Sequence, residues 1–190
     1  MIRFLIIILC FLPILATADD DDCMACHENP DLVSETGESP KSVFVNLSIL
    51  TNSIHKDFEC IDCHSDVDPD DLPHEETLEP VFCGNCHDDA QLDFDSGIHG
   101  MAFTQGQAYA PKCTECHGKH EILSIKDPKS PSYKMNVPFL CGKCHREGAP
   151  VARVYNITEH NIIENYSQSI HGEGLFKKGL TVTATCVDCH

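Results

Sequence analysis

Residues 113–120 read Cys113-Thr114-Glu115-Cys116-His117-Gly118-Lys119-His120, two thiols three positions apart with an imidazole directly after the second. The same C-x-x-C-H string occurs six times: Cys23-Cys26-His27, Cys60-Cys63-His64, Cys83-Cys86-His87, Cys113-Cys116-His117, Cys141-Cys144-His145 and Cys186-Cys189-His190. Of 13 cysteines only Cys10 stands outside it. Disulfide frameworks suit an exported chain but give the histidine no part. Zinc takes cysteine and histidine without fixing a histidine after every pair, and a redox dithiol would occur once, in a βαβ context. Histidine after six pairs of six is the attachment signature of c-type haem. Two thiols at this spacing form thioethers to the two vinyl groups of one porphyrin, and the next residue turns its imidazole to the iron, whose axial ligands set what it can do. Six covalent haem c groups are expected, with His27, His64, His87, His117, His145 and His190 as proximal ligands.

Six histidines lie outside the motifs: His55, His74, His99, His120, His160 and His171. A lone spare histidine is as readily a surface or hydrogen-bonding residue. Here Ser53-Ile54-His55, Ser96-Gly97-Ile98-His99-Gly100 and Ser169-Ile170-His171-Gly172 share an S-(x)-I-H core upstream of a motif, and His120 directly trails another. The recurrence and the equal count predict bis-histidine ligation, with all six as distal ligands.

These contexts expose a two-haem repeat, histidine, motif, histidine, motif, over about 53–95 and 96–150, with a partial unit from about 158. The partial unit stops at His190, itself an expected iron ligand. The pattern predicts a sequence cut from a longer protein, in which case the match of six spare histidines to six motifs is partly fortuitous.

Around this framework the apolar supply is thin. Residues 1–18 combine Arg3, an apolar run and the small-residue ending Ala16-Thr17-Ala18, the pattern of a cleaved signal peptide too short to span a bilayer. The expected domain is therefore 19–190, exported to the periplasm or beyond. Prolines interrupt nearly every stretch between motifs and no two-residue alternation marks a sheet. The expected fold is mainly irregular with short α-helices, little or no β-sheet, and stacked haems as the core. Each motif should be one helical turn. The longest expected helix is 158–170, with Thr158 as N-cap and Gly172 just past its end; it would carry His160 and His171 about 16 Å apart on one face, suited to two different haems.

The net charge of −17 disfavours nucleic acid and selects basic redox partners. Aspartates at 19–22, 66–71 and 88–95 read as solvated surface: Asp66 to Thr77 lacks the glycine and terminal glutamate of an EF-hand loop.

The chain resembles the multihaem c-type cytochromes of anaerobically respiring bacteria and archaea. The pattern S-I-H-G…C-x-x-C-H-G-x-H…C-G-x-C-H is similar to that of the larger periplasmic members with paired motifs. The resemblance implies low-spin bis-histidine haems close enough for electron passage. It also implies partners such as a quinol-oxidising membrane cytochrome and a terminal reductase, so that membrane association comes only through partners. It departs from the quinol dehydrogenases of that group, which keep an N-terminal anchor. The favoured expectation is an electron carrier in anaerobic respiration, with no catalytic residue. The alternatives are a fragment of a nitrite- or hydroxylamine-type multihaem reductase, which needs an open iron, or a protomer of an extracellular haem filament, which needs ligands supplied between chains.

Overall fold

The computed structural model describes residues 20–36, 39–159 and 161–190. The expected signal peptide and His160 lie outside the described residues. Ten short helices carry most of the regular structure: α1 (Asp20–His27), α2 (Leu47–Leu50), α3 (Cys60–Cys63), α4 (Asp88–Ser96), α5 (Ile98–Thr104), α6 (Cys113–His117), α7 (Val137–Gly142), α8 (Pro150–Val154), α9 (Ile162–Gln168) and α10 (Ile170–Lys178). Single 3-10 turns cover Cys83–Asn85 and Cys186–Asp188. Among the described residues the sheet is one antiparallel ribbon, Val33–Ser34 (β1) with Lys41–Ser42 (β2), in register Val33 to Ser42. Little β-structure is thus observed, as expected, and every motif is at least partly helical.

The expected helix over 158–170 is corrected. Asn161 adopts a left-handed conformation (φ 55°) and starts α9 there. Ser169 then turns extended (ψ 163°), and its hydroxyl oxygen accepts the Gly172 amide at 3.1 Å, starting a second helix. A serine that caps one helix ends the preceding one, since it leaves helical backbone angles to do so. S-I-H-G is therefore a helix restart. Gly172 lies inside α10, whose own C-cap is Gly179 (φ 66°). The inference of two histidines on one axis loses its basis.

Apolar burial is sparse. Met24, Val137, Ala149 and Leu175 are the buried hydrophobic residues, while Ile98 (76% exposed), Ile170 (84%) and Val182 (91%) stand in solvent. The best-packed cluster lies near the last two motifs. There α9 contacts both α7 and α10, and α7 contacts the Cys186–Asp188 turn. Phe176 packs tilted, at 5.3 Å, against Phe139 and edge-on at 6.0 Å to Tyr166, whose hydroxyl donates to the Ala184 carbonyl. At the other end, the Ile54 amide and the Ser53 hydroxyl both donate to the Ile122 carbonyl, tying the start of the first repeat to the segment after His120.

Candidate metal centres

One closing device recurs at every other motif turn. In the second, fourth and sixth motifs the residue before the second cysteine is acidic, and its carboxylate accepts the backbone amide of the residue before the first cysteine. The pairs are Asp62 with Glu59 (2.9 Å), Glu115 with Lys112 (2.6 Å) and Asp188 with Thr185 (2.7 Å). Each satisfies an amide that the start of a helix would otherwise leave free. Asp188 also meets Lys134 Nζ at 2.5 Å, and Lys134 and Thr185 hold its carboxyl down at about 2. The third and fifth motifs read C-G-N-C and C-G-K-C instead. The sequence reading missed this alternation, although it is visible as the third letter of each motif.

Four imidazole pairs form between segments distant in sequence. His27 and His74 are parallel within 4° with ring centroids 6.0 Å apart. His55 faces His87 at 5.9 Å, His64 faces His120 at 6.4 Å and His99 faces His145 at 5.9 Å. Ordinary aromatic contacts span the same distances, so composition is what distinguishes these: each pair joins one motif histidine to one histidine outside the motifs. Two imidazoles bound through nitrogen at ~2 Å on opposite sides of one metal ion have ring centres about 6 Å apart. Rotation about the common axis leaves their interplanar angle free.

Hydrogen bonds fix which nitrogen is left for a metal. His27 Nδ1 lies 2.8 Å from the Val43 carbonyl and His74 Nδ1 2.7 Å from the Glu75 carbonyl. A carbonyl only accepts, so both Nδ1 atoms carry the proton and each neutral ring keeps its lone pair on Nε2. The Ser132 hydroxyl donates to the Cys116 carbonyl and accepts from His117 Nδ1 at 3.3 Å, with the same result. His64 Nδ1 is buried without a partner. Burial lowers the pKa of His64, His117, His120 and His145, with nearby histidines adding to it, and so favours the neutral form that binds metal.

The thiols link the motifs in sequence order. Cys60 lies near Cys23, Cys113 near Cys83 and Cys141 near Cys186, and in each case the neighbouring thiol helps to raise the pKa of the first-named one. Between these links, Cys63 interacts with Cys86 and Cys116 with Cys144. First cysteine meets first, then second meets second, alternating along the chain. The Cys60 amide donates to Asp20 at 2.9 Å, holding the second motif against α1, and a groove of about 260 Å³ separates Cys63 from Phe82 and Asn85. The twelve motif cysteines are free thiols. Burial, with Asp20 and Cys23 adding to it, pushes the Cys60 thiol up to about 12; burial and Cys186 do the same to Cys141. Redox-active dithiols have their first thiol shifted the other way.

No family model matches the sequence, and no curated protein or solved structure is significantly similar to it. The geometry therefore stands alone. Among the described residues no three histidine, cysteine or acidic side chains converge on a metal site; what recurs is two imidazoles. A structural zinc takes four protein ligands. A haem iron, already holding four porphyrin nitrogens, takes two. The residues present therefore fit a haem. Of the expected ligands, eight are brought together in pairs, while His117, His171 and His190 have no facing imidazole among the described residues.

Proposed function

We propose that the protein is an exported multihaem c-type cytochrome that carries electrons between redox partners of anaerobic respiration. The observation that carries this reading is the make-up of the four imidazole pairs, each a C-x-x-C-H histidine with a histidine from outside the motifs. Haem c, when bound, supplies a one-electron iron couple. The chain's own residues hold and orient it: paired cysteines anchor, paired imidazoles close both axial positions, and backbone carbonyls fix the ring tautomer at His27 and His74. The few buried apolar side chains and the many exposed ones support a core completed by porphyrin. Contacts between successive motifs support electron passage in sequence order from Cys23-His27 to Cys186-His190. The strongly acidic surface suits a partner with a basic face, such as a quinol-oxidising membrane cytochrome or a terminal reductase.

The test is haem content and spin state. The protein matured with haem should carry six covalent haems by alkaline pyridine spectroscopy and intact mass, with the haems of His27, His64, His87 and His145 low-spin when oxidised. A chain purified with no covalent haem sinks the proposal. Stoichiometric nitrite or hydroxylamine turnover at one high-spin haem would replace carrier by reductase.

A further inference from the structure

The charge of −17 is not spread evenly along the chain. Residues 19–95, which hold the first three motifs, carry 22 aspartates and glutamates against Lys41 and Lys56, a formal −20. Residues 96–190, which hold the last three, carry eight acidic side chains against ten lysines and arginines, a formal +2. An asymmetry of this size sets up a field along the molecule.

The fold keeps the two populations apart. Successive motifs neighbour one another in sequence order, Cys23 by Cys60, Cys63 by Cys86, Cys83 by Cys113, Cys116 by Cys144 and Cys141 by Cys186. The first three and the last three therefore form the two halves of one row. The segment after His120 crosses back to the first half through the Ile122 carbonyl, but it brings Lys119 together with Glu121, which adds no net charge.

Carboxylates of the first half also lie close to the expected haem-binding groups. His74, which faces His27, lines a groove with Asp66, Asp68, Asp71 and Glu75. Cys63 of the second motif lines another with Asp66 and Glu79, and Asp20 accepts the Cys60 amide. In the second half, Lys134 meets Asp188 of the sixth motif, and Lys143 stands inside the fifth, Cys141-Gly142-Lys143-Cys144. Ligand type does not distinguish the sites, since every pair that forms is imidazole with imidazole. The field does. Negative charge favours ferric over ferrous iron, which carries one positive charge less, and so lowers the reduction potential. Whatever charge six identical porphyrins bring is the same at each site and leaves the difference standing.

We propose that the separated charges grade the reduction potentials along the row, lower at the motifs of His27, His64 and His87 and higher at those of His117, His145 and His190, so that electrons run downhill from the first three to the last three. A one-electron donor protein supplies the first three motifs, each transfer oxidises one iron as it reduces its neighbour, and a one-electron acceptor protein draws from the last three. The inference rests on the cytochrome reading above and adds a direction to it.

The experiment is a redox titration of the six-haem protein followed by the NMR signals of the haem methyl groups. Signals displaced in His74→Ala mark the haem at His27, and those displaced in His99→Ala mark the haem at His145. In the wild type, reduction should reach the haem at His145 before the haem at His27. Between about 0.01 M and 1 M salt the screening length falls from about 30 Å to about 3 Å, so the potential at His27 should rise and the gap should narrow. Asp66→Asn, Asp68→Asn, Asp71→Asn and Glu75→Gln together keep the shape of the groove and remove four negative charges. At low salt this variant should shift the potential at His27 upward and leave that at His145 in place. A level or reversed order overturns the proposal, as does an order indifferent to salt or to the fourfold variant. Should that variant lose its low-spin spectrum, the salt series on the wild type decides. A chain with no covalent haem removes the cytochrome reading itself, whereas six covalent haems reduced in the wrong order leave that reading standing and sink this one.

Discussion

The helix-restart corners at His99 and His171 have nearly the same backbone and different surroundings. At the first, the imidazole meets His145 from a motif far along the chain; at the second, a complete corner meets none among the described residues. A ligand's presentation is therefore local, written in four residues, whereas its partner is a matter of how distant segments come together. The two corners also differ in their link. Ser169 caps α10 through its side chain, and Gly97 has no side chain with which to cap α5.

This contrast can be broken in graded steps. The largest effect is expected from His99→Ala, which should convert one low-spin haem to a high-spin form able to bind carbon monoxide; an unchanged low-spin count in electron paramagnetic resonance would show that the His99 corner presents no ligand. Next comes Gly100→Ala. Its methyl has no room against the Phe94 carbonyl, so the variant should lose about 1–3 kcal/mol, the cost of overpacking, together with low-spin character at the haem of His145. Gly172→Ala should cost a similar amount in denaturant unfolding. Smaller again, Ser169→Ala removes a cap and should cost about 1 kcal/mol; no comparable loss is available at Gly97.

The smallest step is a titration. Burial lowers the pKa of His145, and His99 and His190 lower it further. In the chain without haem the ring should therefore titrate below the ordinary imidazole value of about 6.5, followed by its ring-proton NMR shift. A midpoint at or above about 6.5 would show that the ring is not shielded as described.

How far the sequence could be read follows the same division. The C-x-x-C-H strings, the spare histidines and the scarcity of strand were legible because each is a short-range pattern. The alternation of Asp62, Glu115 and Asp188 with the glycine-containing motifs is equally local, but an acidic residue between two cysteines reads as solvated surface until its carboxylate is seen to accept the amide before the first cysteine. Ser169 misled for a physical reason: a serine inside an apolar helical periodicity serves as well to restart a helix as to continue one, and only its bond to the Gly172 amide decides. The pairing of His64 with His120, across two intervening motifs, has no signature in either residue's neighbourhood.

That pairing divides the imidazoles by direction. His74 and His120 reach back to motifs that precede them, whereas His55 and His99 reach forward to motifs not yet made when they appear. A chain that emerges N-terminus first therefore has two kinds of incomplete site during its synthesis. On the proposed reading, the motifs of His27 and His64 would wait with one ligand until a later segment arrives, and the motifs of His87 and His145 would find their second ligand already present. Assembly in this protein would proceed by alternate deferral and immediate closure, so a pause after residue 100 would leave the site of His87 complete and that of His64, which lies earlier in the chain, still open.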